Sequence, residues 1–190
     1  SAMDDGTAKI ASLQLGTEVV FSQIADTGWE IAGTGDFNGD TKTDILWRYY
    51  GTGDYQGLND IWFMDGTTFM GESVISQIPD TNWRIAGTGD FNGDAKTDIL
   101  WRYYGTGDYQ GLNVIWYMNG DQMTGESVFS QVLDTDWRIE GTGDFNSDGQ
   151  TDILWRYYGA GDYQGLNDIW FMNGATFVSE SVFSQILDTN

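Results

Sequence analysis

The chain has 190 residues, of which 29 are acidic and eight basic, giving a formal net charge of −21 with neither Cys nor His. Phosphate binding needs clustered Lys and Arg, so this balance argues against nucleic acid and against an anionic membrane surface as partners. The missing Cys and His remove disulfides, thiol chemistry, the usual zinc ligands and the usual general base, while 26 Gly and abundant aromatics suit an all-β protein of short strands and tight turns.

Residues 1–8 are small and polar and read as a tag remnant or frayed end, Ser1-Ala2-Met3 having the look of a scar left by tag removal. A native leader would have been trimmed with it. Residues 9–28 close on Phe21-Ser22-Gln23-Ile24, which matches Ile75-Ser76-Gln77-Ile78, Phe129-Ser130-Gln131-Val132 and Phe183-Ser184-Gln185-Ile186. This opening segment is therefore a partial repeat, the terminal strand of a unit. Three full 54-residue repeats follow, 29–82, 83–136 and 137–190. A fixed period of this length marks a repeat architecture.

Each repeat carries the same nine-residue loop, first as Asp36-Phe37-Asn38-Gly39-Asp40-Thr41-Lys42-Thr43-Asp44. Oxygen-bearing side chains stand at positions one, three, five and nine: Asp36, Asn38, Asp40 and Asp44, then Asp90, Asn92, Asp94 and Asp98, then Asp144, Asn146, Asp148 and Asp152. Two like charges at about 4 Å repel by roughly 4 kcal/mol near a protein surface, so such crowding invites a cation. Calcium takes six to eight oxygens and tolerates irregular geometry. The carbonyl of position seven, Lys42, Lys96 or Gln150, is expected to join the set, giving about one calcium per repeat. An EF-hand is excluded because position twelve is Trp47, Trp101 or Trp155 instead of Glu. Metal-free turns use the same Asp, Asn and Gly, but three copies of the full oxygen set favour calcium.

Four strands are predicted in a unit, taken here from the second: 83–87, 98–104, 113–118 and about 126–132. The run Ile99-Leu100-Trp101-Arg102-Tyr103-Tyr104 is apolar or aromatic on both faces, so both faces must be covered. Four antiparallel strands with two buried faces describe one blade of a β-propeller. The repeats are thus blade 1 (29–82), blade 2 (83–136) and blade 3 (137–190), preceded by an extra N-terminal strand. Trp47-Arg48-Tyr49-Tyr50 and its copies read as blade-to-blade packing, with Arg48 paired to an Asp of the next blade, in preference to a sugar-stacking site. The long Gly-rich loop 51–59 and its copies at 105–113 and 159–167 are the better candidate for ligand binding, through Tyr55, Gln56, Tyr109, Gln110, Tyr163 and Gln164.

Gly-Thr-Gly-Asp-Phe-Asn-Gly-Asp, the Thr-Asp-Ile-Leu-Trp-Arg that follows and the later Ile-Trp-Phe-Met-Asp-Gly together resemble the FG-GAP or VCBS-type repeats of integrin α-chain propellers and of bacterial secreted and surface proteins. The resemblance spans nearly all of 29–190 and implies a calcium loop using positions one, three, five, seven and nine. Thr41 and Ala95 stand where the family has Gly at position six, which implies strain in the first two loops if that position needs positive φ. Ser147 at position four of the third loop is read as the smaller departure.

The reading is a non-enzymatic, calcium-stabilised, extracellular binding or adhesion scaffold, secreted or cell-surface, lectin-like if its ligand is a glycan and otherwise binding protein. No nucleophile–base pair suggests catalysis. Gly33-Thr34-Gly35 is followed by Asp36, which would repel a phosphate. No apolar run reaches about 18 residues, so no membrane insertion is expected. Three blades cannot close a ring, so the expected partner is the chain itself, a homo-oligomer and most simply a dimer, the alternative being a monomeric fragment of a longer propeller. The alternatives are an accessory propeller of a secreted hydrolase or lyase, or a purely architectural amplified or engineered repeat protein.

Overall fold

A computed structural model describes residues 24–183 of the chain. The expected tag remnant at 1–8, nearly all of the expected opening strand at 9–28 and the last seven residues of the third repeat lie outside the described residues. Within them are twelve strands and no helix. Strands β1 (Trp29–Gly35), β2 (Asp44–Tyr49), β3 (Leu58–Asp65) and β4 (Thr68–Gln77) form one sheet. The second holds β5 (Trp83–Gly89), β6 (Asp98–Tyr103), β7 (Asn113–Asn119) and β8 (Gln122–Phe129), and the third β9 (Trp137–Gly143), β10 (Asp152–Tyr157), β11 (Asn167–Asn173) and β12 (Thr176–Phe183). Each sheet is an antiparallel meander whose strands lie in chain order.

The fourth strand starts earlier than its sequence suggests. Asn119 pairs with Gln122 across a two-residue turn with Gly120 at φ +68°, so pairing begins at once and β8 runs over 122–129, not 126–132. Ser130 to Val132 leave the sheet because their groups are engaged elsewhere. The Val132 carbonyl accepts from the Arg102 guanidinium at 3.0 Å, and Gln131 donates to the Gln110 carbonyl at 2.8 Å.

The core lies between the sheets. Phe37, Leu46 and Ile61 of the first sheet pack on Ile85, Ile99, Trp101, Val114 and Met118 of the second. Phe91, Leu100, Ile115 and Phe129 of the second pack on Ile139, Ile153, Trp155 and Met172 of the third. Alternation along β6 explains this: Ile99 and Trp101 face back, Leu100 faces forward, and both faces are buried. Strands β1, β5 and β9 stand side by side. The Thr88 hydroxyl donates to the Thr34 carbonyl at 2.7 Å and the Thr142 hydroxyl to the Thr88 carbonyl at 2.6 Å. The approach is close enough that a Cβ on Gly33 would come within 2.7 Å of the Thr88 methyl, and one on Gly87 within 2.7 Å of the Thr142 methyl.

The outer sheets break the pattern. Phe37 and Phe91 are 3% and 1% exposed under the next sheet, whereas Phe145 is 45% exposed. A Cβ on Gly141 or Gly143 would meet nothing within 4 Å. At the opposite end Ile31 is exposed, while its counterparts Ile85 and Ile139 are buried.

Candidate functional site

The three acidic loops sit between the first and second strands of each sheet, closed by their own hydrogen bonds. In the first, Asp36 Oδ1 accepts from the Gly39 and Asp40 amides at 2.7 and 3.1 Å, and Oδ2 from Thr41 at 2.8 Å. Asn38 Oδ1 accepts from Asp40, and Asp40 Oδ1 from the Lys42 amide, both at 2.9 Å. Asp90, Asn92, Asp94 and Lys96 repeat this network in the second loop, and Asp144, Asn146, Asp148 and Gln150 repeat most of it in the third. The position-nine carboxylates are different in kind. Asp44, Asp98 and Asp152 are fully buried, and each accepts two backbone amides, from Phe37 and Met64, Phe91 and Met118, and Phe145 and Met172. Each one ties the loop to the third strand of its sheet. Burial pushes the Asp98 carboxyl up from its ordinary value, against the opposing pull of its two amides.

All-oxygen donors suit a hard cation such as calcium. Here the carboxylate oxygens are turned onto the loop's own amides, and among the described residues no three of them converge on one point. Lys42 Nζ pairs with Asp65 at 2.9 Å and Lys96 Nζ lies 3.7 Å from Asp94, exposed contacts of small energetic weight.

Positions four and six of each loop both take left-handed backbone. Gly39 and Gly93 do so without strain, but Thr41 (φ +68°), Ala95 (φ +63°) and Ser147 (φ +64°) do not. Ser147 is therefore as strained as the two position-six residues, not a lesser case. A left-handed L-residue costs about 1–2 kcal/mol, and extra chain entropy in the unfolded state takes back about 0.4–1 kcal/mol from Gly. Ala95→Gly and Thr41→Gly are expected to raise stability by about 0.5–1 kcal/mol each, read as a higher midpoint in urea unfolding. A lower midpoint would show that the loops are not strained.

The Trp-Arg-Tyr-Tyr segments are packing, but the arginine's partners are main-chain carbonyls and one asparagine side chain, not an Asp carboxylate. The buried Arg48 guanidinium donates to the carbonyls of Gly57, Ile78 and Asp80 and to Asn59 Oδ1, and stacks over Trp101 of the next sheet at 5.0 Å. Arg102 does the same over Trp155. Asp80 thus meets Arg48 through its carbonyl, not its carboxylate. On the long loops, Tyr55, Tyr109 and Tyr163 are exposed, each edge-on to a tyrosine of the second strand. Gln56 and Gln110 donate to the Pro79 and Leu133 carbonyls at 2.9 and 2.8 Å, so they tie the loop down. Gln164 holds the equivalent place in the third sheet.

The first two of these loops border a groove at the rim of their sheets, and a smaller groove lies at the corresponding place in the third. The first, of about 410 Å³, is lined by Trp29, Trp47, Tyr55, Asp60, Trp62 and Glu72. The second, about 390 Å³, has Trp83, Trp101, Tyr109, Val114, Trp116 and Glu126, and the third, about 210 Å³, has Trp137, Trp155, Asp168, Trp170 and Glu180. Burial, then the neighbouring Glu72 or Glu180, raises the Asp60 and Asp168 carboxyls from 3.8 to about 6. Between those values the folded state holds more protons than the unfolded one. The two acids therefore make the fold less stable as pH rises from about 4 to about 6. Sequence reasoning passed over both, although comparison at the 54-residue period reveals them as Asp, Val and Asp at positions 60, 114 and 168.

A family profile described as FG-GAP-like repeat matches residues 36–101, and one described as FG-GAP repeat matches residues 137–172. Comparison with curated proteins returned no match.

Proposed function

Because the chain is built of FG-GAP-type repeats, we propose that it is a non-enzymatic binding or adhesion module working outside the cell. FG-GAP repeats are typical of extracellular and surface proteins. Among the described residues no helix is long and apolar enough to cross a membrane. The observation that carries the reading is the recurrence of one aromatic groove at the rim of all three sheets. Repeated sites on one chain raise avidity well above the affinity of any single site. A glycan array probed with the labelled chain tests it: binding supports a lectin-like module, and silence there with capture on a protein array moves the ligand to protein. Silence on both removes the binding function.

The stack is completed by a second copy. The first two sheets bury Phe37 and Phe91 under a neighbour, and the exposed Phe145, Gly141 and Gly143 offer the same surface again. A second chain's first sheet supplies what that surface lacks, with Thr34 opposite Gly141 and Thr43 opposite Gly143, as Thr88 and Thr97 stand opposite Gly33 and Gly35. Two such head-to-tail contacts close a dimeric ring.

Calcium is the cation proposed for the loops, about one per repeat. A carboxylate oxygen that accepts one amide keeps a second lone pair, so Asp36, Asp40 and their copies have acceptor capacity left for an ion. Native mass spectrometry with calcium and after chelation reads subunits and ions together. The expected species is a dimer with about three ions per chain that dissociates on chelation, and Gly141→Val is expected to leave a folded monomer. A calcium-free monomer of the wild type would overturn both proposals.

A further inference from the structure

We propose that the rim grooves of the first and third sheets are saccharide sites, centred on Asp60 with Trp47 and on Asp168 with Trp155, and that the second groove lacks such a site. The proposal deepens the binding-module reading and rests on it. Asp60 and Asp168 are only 7% and 6% exposed, and the Oδ1 atom of each is buried without a hydrogen-bond partner. The indole Nε1 of Trp47, Trp101 and Trp155 is likewise buried without a partner in all three sheets, so the carboxylate is what sets the first and third grooves apart from the second. In the first and third sheets the two residues are direct register partners across the second and third strands, Trp47 with Asp60 and Trp155 with Asp168, and both line the groove.

A buried acceptor without a donor and a buried donor without an acceptor each cost about 1–3 kcal/mol. A single hydroxyl relieves both, since it donates to the carboxylate and accepts from the indole. An ammonium group satisfies the carboxylate but leaves the indole N–H as it was. Around the pair stand apolar rings, Trp62 centred 5.3 Å from Trp47 and tilted by 56°, and Trp170 5.0 Å from Trp155 and tilted by 51°. Trp170 Nε1 already donates to the other Asp168 oxygen at 3.0 Å, which fixes the carboxylate and leaves Oδ1 as the free acceptor. A ligand that joins hydroxyls to an apolar ring face is a pyranose.

The second sheet is the internal control. Val114 occupies the position of the two acids, in a strand with the same register. Folding of this strand therefore has no need of the carboxylate, and Asp60 and Asp168 stand in the first and third sheets although they weaken the fold near neutral pH.

The test is a titration of the full chain with glucose, galactose, mannose, fucose and N-acetylglucosamine, and with choline as a cationic comparison, followed by calorimetry and tryptophan fluorescence. At least one sugar is expected to bind at two sites per chain. Asp60→Val with Asp168→Val, which reproduces what the second sheet tolerates, is expected to weaken binding at least tenfold while the circular dichroism spectrum is unchanged. Val114→Asp is expected to add a third site. Binding that survives the double substitution but is lost on changing Tyr55, Tyr109 and Tyr163 to Ala overturns the assignment and leaves the lectin-like reading intact. Binding of choline and no sugar overturns the ligand class. No binding by any probe also overturns the proposal and assigns the two grooves to bridging water, while array binding to other glycans or proteins would still support the broader function.

Discussion

Asp98→Ala is expected to destabilise the protein by about 2–6 kcal/mol, the largest single effect of any loop residue. Both oxygens of this fully buried carboxylate are in use, accepting the Phe91 and Met118 amides at 2.9 Å. Truncation leaves two buried N–H groups without acceptors, at about 1–3 kcal/mol each. Asp98→Asn keeps one acceptor oxygen and is expected to lose about half as much. Urea unfolding read by tryptophan fluorescence measures both, and repeating it in chelator separates two roles for the carboxylate. A loss of the same size with and without calcium fits a lock between loop and third strand. A loss seen only with calcium would mean that Asp98 acts through the ion, and the hydrogen bonds to Phe91 and Met118 would then carry little of the stability.

The second large effect contrasts two identical residues. Phe91→Ala is expected to cost about 3–5 kcal/mol, as for other buried phenylalanines, because its ring fills the space between the second and third sheets. Phe145→Ala, the same residue in the third copy of the same loop, is expected to cost less than about 0.5 kcal/mol in dilute solution. Its ring is exposed because, among the described residues, no further sheet covers it. At concentrations where a second copy docks, the Phe145 change is expected instead to lower the dimer fraction. Equal losses at the two positions in dilute solution would show that the core lies within each sheet rather than between sheets.

Much of this architecture is visible before any coordinate is consulted. The Asp-Phe-Asn-Gly-Asp loop announces the period, and the two-faced apolar run at Ile99 to Tyr104 says that each sheet must be covered on both sides. Both are local signals, carried by residue type and spacing. What escaped was long-range or conformational. The partners of Arg48 are carbonyls up to 32 residues downstream, and a main-chain oxygen leaves no trace in residue identity. The left-handed φ of Ser147 follows from the loop's path, not from serine. Asp60 looks like the polar start of a strand after a Gly-rich loop, and only the folding of β1, β2 and β3 into one sheet shows it to be enclosed by tryptophans. Gln56 reads in the sequence as a ligand-facing amide, and nothing in residue type announces that one of its N–H groups donates to a carbonyl 23 residues away.

Placing the core between sheets also bears on how such a gene can change. Every junction in the stack is written in one repeat's forward face and the next repeat's backward face, and these are nearly the same two surfaces each time. Duplication or loss of one 54-residue unit would therefore leave the surviving junctions as they were. No residue encodes the number of units. Copy number can drift by recombination while each contact stays compatible, and positions that face no junction are free to differ from one unit to the next.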